Sequence, residues 1–246
     1  MHLGRWDLAT PAYEPGAWLR GTIYPQRCDL SPDGRWFAHF AMKQATDWDL
    51  GATYIAISRL PWLTALAAWG IGSTWTRGMQ FVEDPSVQEV DEPDLGDLGH
   101  VYERFGLRMS RADSFAVERR RGWSETADTP PRDPGDAWDE ARGDRIVMEK
   151  PRPGSGADRL TVRGTYAAIR ELHGVRTDVG YEIHRDGESS TLDGVQWAEW
   201  DAEGRLLAVT EDGRLQIREG GAVVWQADEG SNEPDPAPPL GGASAW

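Results

Sequence analysis

A single cysteine, Cys28, among 246 residues rules out an intrachain disulfide, and with it the bridge-dependent scaffolds of small secreted domains. The same lone thiol excludes any zinc site that needs two or more cysteines. Long hydrophobic runs are also missing. The longest apolar passage, residues 52–70, is interrupted by Ser58, Arg59 and Pro61, so no segment reads as a membrane span. Residues 1–15 contain acids, glycine and two prolines and lack the apolar core of a secretory signal, which leads us to expect a cytoplasmic protein. Lysine is confined to Lys43 and Lys150, and asparagine to Asn232. Joint depletion of the two points to a GC-rich bacterial genome.

Basic charge is scarce overall: 26 Lys and Arg stand against 41 Asp and Glu, for a net charge of -15. Such a chain repels phosphate backbones at long range, so nucleic acid is not an expected partner. A cationic ligand or a basic protein suits the field better. Tryptophan, by contrast, is abundant, with 13 residues scattered along the chain. Scatter at strand spacing fits aromatic packing between β-sheets.

A short passage occurs twice. Residues 28–40 read CDLSPDGRWFAHF, and residues 198–210 read AEWDAEGRLLAVT. In both, a polar turn ending in Gly-Arg leads into an apolar strand. Further strands are expected at 36–42, 53–57 and 62–69, the last with a helix as the alternative. Towards the C-terminus the punctuation is regular: Asp186-Gly187, Asp193-Gly194, Glu203-Gly204, Asp212-Gly213 and Gly220-Gly221 each suit a hairpin turn. The segments between them, 181–184, 195–200, 206–210, 215–217 and 223–225, are each one strand long and predict an antiparallel meander.

The two copies lie 170 residues apart, which equals four units of roughly 42 residues, the length of a four-stranded propeller blade. Intermediate strands are expected at 79–82, 114–118 and 160–162. The fold class predicted is therefore all-β and propeller-like, with about five four-stranded antiparallel blades, and a β-sandwich as the alternative. The turn Ser31-Pro32-Asp33-Gly34-Arg35 resembles the S-P-D-G-[KR] turn that recurs once per blade in WD-repeat and TolB-like β-propellers. Residues 54–69, YIAISRLPWLTALAAW, are similar to segments of bacterial propeller-like proteins. The Gly-His and Trp-Asp signatures of WD repeats are absent. The resemblance implies a fold and a tendency toward binding roles, and it carries over no active site. Ring closure would pair residues 6–8 or 18–23 with the strand around 223–225.

The propeller-like domain is expected over 1–226, with an acidic, Pro/Gly-rich flexible tail over 227–246. Residues 83–97 hold seven acids, two prolines and no base and read as a solvated loop. They do not meet the EF-hand pattern.

Motifs of known chemistry are missing: there is no G-x-S-x-G elbow, H-E-x-x-H, P-loop or dinucleotide fingerprint. The five histidines, at 2, 39, 100, 173 and 184, show no ligand spacing, so neither a metal nor a cofactor is expected. His39 reads as a satisfied core or half-buried histidine and Cys28 as a buried, inert thiol. The arginines at 104, 108, 111 and 119–121 form the one basic stretch, which can neutralise the acidic loop before it. The binding residues expected are Trp48, flanked by Asp47 and Asp49 in a connection, and Arg59 and Trp62 in the turn RLPW. Trp and Arg are the favoured anchors of interfaces. The function expected is non-catalytic binding of a protein or small ligand at a propeller mouth, with neutralisation of a basic partner as one version. A hydrolase using carboxylates at that mouth is the alternative.

Overall fold

The computed structural model describes residues 1–43, 50–72, 74, 78–82, 109–111, 115–126, 145–165 and 179–234. Among these, 56% lie in strands and 4% in helix, arranged as several antiparallel sheets, none of them closed into a barrel. The chain divides into two compact units, Met1–Val117 with Pro234–Trp246, and Glu118–Glu233.

In the first unit, β1 (His2–Asp7) and β2 (Ala12–Trp18) form a hairpin. A larger sheet is built from β3 (Thr22–Ile23), β4 (Asp29–Leu30), β5 (Trp36–Met42), β6 (Thr53–Arg59) and β7 (Ala65–Gly70). β3 and β4 pair with opposite ends of the same edge of β5. A 3-10 turn at Pro25–Arg27 interrupts what would otherwise be one strand. The sheet is thus four strands wide, each next to its sequence neighbour. β8 (Met79–Phe81) and β9 (Met109–Arg111) form a separate pair.

β5 and β6 explain the near-continuous apolar run in this region, because both of their faces are covered. On one face Trp36, Ala38, Phe40, Ile55, Ile57 and Trp69 pack with Met79, Phe81 and Met109 of the β8–β9 pair. On the other, Ile23, Ala41, Tyr54 and Ala56 are covered in part by Leu19, Leu50 and Leu63. Phe40, Ala41, Ala56 and Ile57 are all completely buried.

The boundary between the units falls within α1 (Ala116–Arg120), and the second unit holds two meanders. The first runs through β10 (Ser124–Glu125), β11 (Arg145–Pro151), β12 (Arg159–Thr165), β13 (Gly180–Arg185) and β14 (Glu188–Thr191). The second runs through β15 (Val195–Trp200), β16 (Leu206–Thr210), β17 (Arg214–Glu219) and β18 (Ala222–Asp228). Two-residue turns join β13 to β14 and β17 to β18. Asp186-Gly187 has φ of 52° and 82°, and Gly220-Gly221 has 55° and 93°, the double positive φ that matches the twist of a tight hairpin.

Several expectations differ from what the structure describes. Of the strand expected at 114–118, residue 114 lies outside the described residues, and 116–118 are helical: Ala116, Glu118, Arg119 and Arg120 are good helix formers and lie in α1. Asp193-Gly194 does not close a hairpin, because β14 and β15, on either side of it, belong to different sheets. Among the described residues β1 pairs with β2, β3 with β5, and β18 with β17, and the expected pairing of residues 6–8 or 18–23 with 223–225 is not among the ladders. Among the described residues the sheets hold two, five, five, four and two strands, so a ring of equal four-stranded blades is not confirmed.

Candidate functional site

The repeated turns share a physical device. In the first copy Ser31 Oγ donates to Asp33 Oδ1 at 2.5 Å and accepts the Trp36 N–H at 2.8 Å. Asp33 also accepts the Arg35 N–H at 3.1 Å. The Ser31 hydroxyl holds the Asp33 carboxyl below the usual carboxylate range. In the second copy Asp201 does both jobs alone: its Oδ1 accepts the N–H groups of Glu203 and Arg205 at 3.0 and 2.8 Å, and its Oδ2 takes the Arg205 guanidinium at 2.6 Å. A third version links β16 to β17, where Thr210 Oγ1 bonds Asp212 and accepts the Arg214 N–H. In each copy these bonds hold the turn against the strand that follows it.

Of the expected binding residues, Trp48 lies outside the described residues. Arg59 and Trp62 are both half-buried and stand at the two ends of one turn. The Leu60-Pro61 peptide is cis, and the Trp62 N–H donates to the Arg59 carbonyl at 2.9 Å, which defines a type VI turn. The Ala17 N–H reaches the Pro61 carbonyl at 3.1 Å, tying the turn to β2.

The next residue along, Leu63, belongs to a cavity of about 350 Å³ in the first unit. Its apolar walls are Leu19, Leu50, Leu63, Ala65 and Ala68. Tyr54 contributes a phenol, and Arg20 and Lys43 are the charged residues among the described lining residues. Strand register explains the grouping: Ala56 pairs with Ala68, Tyr54 with Gly70 and Ser58 with Ala65. Alternate residues of β6 share a face, so Tyr54, Ala56 and Ser58 all look to the side on which the cavity lies. Burial raises the Tyr54 phenol above its ordinary pKa, so it is a neutral hydrogen-bonding group at physiological pH.

The same face carries two polar side chains that burial has isolated. His39 is 1% exposed and Ser58 is fully buried, and neither His39 Nδ1 nor Ser58 Oγ has a hydrogen-bond partner. Burial pushes the His39 imidazole down to about 4, so it is neutral at pH 7, as a core histidine should be. Cys28 is half-buried rather than buried as expected; it donates its S–H to the Tyr24 carbonyl at 3.1 Å, and the desolvation of its sulfur pushes the thiol up to about 12.

A second polar cluster, in the Glu118–Glu233 unit, was not foreseen. The Glu199 carboxylate accepts the Trp123 indole N–H at 2.8 Å, the Trp200 N–H at 3.0 Å and the Lys150 ammonium at 2.6 Å. Lys150 also donates to the Trp200 carbonyl at 3.2 Å. Both charged side chains are nearly buried, at 12% and 11% exposure. With all these partners Glu199 reads as a strut between β11 and β15. In the sequence it is one acid among 41, and only its place in the repeat distinguishes it.

Among the described residues, no three His, Cys, Asp or Glu side chains gather as a metal-binding group, and no helix is long and apolar enough to cross a membrane. No protein family, curated protein or solved structure was found to match the chain.

Proposed function

We propose that this chain is a propeller-like, non-catalytic binding module whose ligand occupies the cavity over β6 and β7. The four-strand meander β15–β18 and the Gly-Arg turns that lead into β5, β16 and β17 support the propeller part of this reading. The binding part is carried by the cavity itself. Small-molecule sites are mostly apolar hollows with a few convergent polar groups, from about 300 Å³ upward, and a volume of 350 Å³ with five apolar residues, one phenol and two cations matches that description. Nucleophilic catalysis would need Ser58 Oγ within hydrogen-bond reach of a base, and it has no partner.

The test is ligand-observed NMR with 1-octanol as a neutral apolar probe. Octanol should bind the wild type and lose binding in Ala68→Phe, which fills the cavity, with the fold checked by circular dichroism. Equal binding to both proteins, or to neither, would remove the cavity from consideration.

A basic protein partner is the second reading, favoured by the net charge of -15 and by the fixing of Arg59 and Trp62 at the ends of one turn. Such association should weaken steeply with salt. Alanine at a true anchor should cost about 2 kcal/mol or more.

A further inference from the structure

We propose that the outer edge of β18 docks an extended peptide segment of a basic partner protein, with an apolar, β-branched centre and Lys or Arg at each end, which adds to the sheet as a further strand. β18 lies in the Glu118–Glu233 unit and the β6–β7 cavity in the other, so the two sites are tested independently.

β18 is the last strand in the order β15-β16-β17-β18 and, among the described residues, its ladder is with β17. A strand in that position turns a row of N–H and C=O groups outward, and natural sheets blunt such edges with brevity, proline or charge, lysine above all. β18 has none of these: it is seven residues long, and residues 222–227, AVVWQA, hold no charge and no proline. The outer strand β14 of the other meander, by contrast, is four residues long and begins with Glu188. Apolar side chains are exposed at the same edge. The large hydrophobics exposed among the described residues are Met1, Val223 and Val224, two of them adjacent on this strand. Consecutive strand residues normally face opposite sides of a sheet. Here a bulge intervenes, because Val223 pairs with Arg218 and Trp225 with Ile217, which leaves Val224 as the extra residue. Beyond it Trp225–Asp228 pair one for one with Arg214–Ile217, a regular stretch on which a new ladder can build. The bulge at the other end discourages unlimited stacking of copies.

Charge selects the occupant. Residues 211–233 carry six acids against two arginines. Both arginines lie on β17, where Arg214 is paired with Asp212 at 3.2 Å and Arg218 donates to Gln216 at 2.6 Å. Glu219, opposite Ala222, and Asp228 bracket the uncharged stretch, and both are exposed. A second copy pairing antiparallel along this edge would bring the Asp228 end of each strand to the Glu219 end of the other, acid towards acid, between chains of net charge -15. A strand with basic ends meets opposite charge at both places. Its main chain completes the ladder, and its β-branched side chains cover Val223 and Val224.

The experiment is an NMR titration of the whole chain with three capped peptides that differ only at their ends: KTVTVTK, QTVTVTQ and ETVTVTE. KTVTVTK should shift the amides of β18 and bind about fivefold or more tighter than QTVTVTQ, which is what two exposed ion pairs supply. ETVTVTE should bind more weakly than either. In Val223→Lys/Val224→Lys, KTVTVTK should bind about tenfold or more weakly, with circular dichroism unchanged because both side chains are exposed. In Glu219→Gln/Asp228→Asn the preference for KTVTVTK should disappear while QTVTVTQ binds as before. Equal binding of the three peptides to the wild type, shifts confined to strands other than β17 and β18, or no binding at all would overturn the proposal. So would a wild-type dimer in sedimentation velocity that Val223→Lys/Val224→Lys dissolves, since the occupant of the edge would then be a second copy.

Discussion

Asp29 and Glu199 occupy equivalent places in the repeated passage, one residue into each copy, and they do equivalent things. Each is nearly buried, at 2% and 8% exposure. Each accepts the N–H of the residue that follows it, Leu30 at 2.8 Å and Trp200 at 3.0 Å. Each then spends its other oxygen on a distant partner: Asp29 on the Phe81 N–H at 2.7 Å, and Glu199 on the Trp123 indole at 2.8 Å. The repeat therefore consists of a buried acid and a turn, and the acid fastens its strand to an element far away in sequence.

Removing the counter-charge of Glu199 tests this. Lys150→Met leaves a nearly buried carboxylate without its cation, and we expect a loss of about 3 kcal/mol in urea unfolding. The double variant Lys150→Met/Glu199→Gln should recover part of that loss, because the amide oxygen still accepts from Trp123. A single variant within about 0.5 kcal/mol of the wild type, the usual range for an inconsequential surface change, would show that the pair is not a strut.

The turn of the second copy makes a graded prediction. Asp201→Ala abolishes three hydrogen bonds at once and should cost about 2 kcal/mol, given typical values for bonds to charged groups. Asp201→Asn keeps an oxygen for the two backbone donors and should cost about half as much. Thermal melts of the two variants in the reverse order would contradict the assigned geometry.

His39 sets part of the acid limit of stability. Its folded pKa, about 4, is depressed by burial from the ordinary 6.5, so between those values the unfolded chain binds the extra proton. Stability is then full above about pH 6.5 and falls as the pH drops towards 4, by on the order of 3 kcal/mol for a shift of this size. His39→Asn should flatten that limb: its melting temperature should change less between pH 7 and pH 4.5 than that of the wild type. Parallel curves for the two proteins would exclude His39 as the cause.

Cys28 should resist alkylation. With its thiol pushed up to about 12, almost no thiolate is present at pH 8, and the thiolate is the nucleophile. Mass spectrometry after iodoacetamide treatment should find the folded protein unmodified and the urea-unfolded protein fully modified. Rapid labelling of the folded chain would mean that the thiol is not held as described.

Local features were legible in the sequence, and partnerships were not. β15 and β16 fall on the residues expected, 195–200 and 206–210, because Gly-containing turns on either side bound each run. The Asp193-Gly194 turn has the same local chemistry as the others, yet it leads out of one sheet and into the next. Nothing in two residues encodes which edge a strand will join. Arg59 and Trp62 were picked out for their residue types. The cavity draws on Leu19, Lys43, Tyr54 and Ala68, residues brought together by strand register that carry no shared pattern in the chain. His39 was read correctly as a core residue, although its unpaired Nδ1 depends on neighbours that only the fold supplies.

The double-sided burial of β5 and β6 also sets a clock. Backbone amides in strands covered on both faces can trade protons for deuterium only when the surrounding structure opens, while those near an exposed edge are released by small local excursions. Ala41 and Ala56 are completely buried, and Val223 and Val224 on β18 are about half exposed. The β5–β6 pair should therefore be the slowest-exchanging segment of its unit, and β18 among the fastest of its own. Anything that settles against Tyr54 and Ala68 would slow the exchange of β6 further, because occupancy of the folded state lowers the population of the open one. A ligand too weak for calorimetry could thus still announce itself in the lifetimes of a few amide protons.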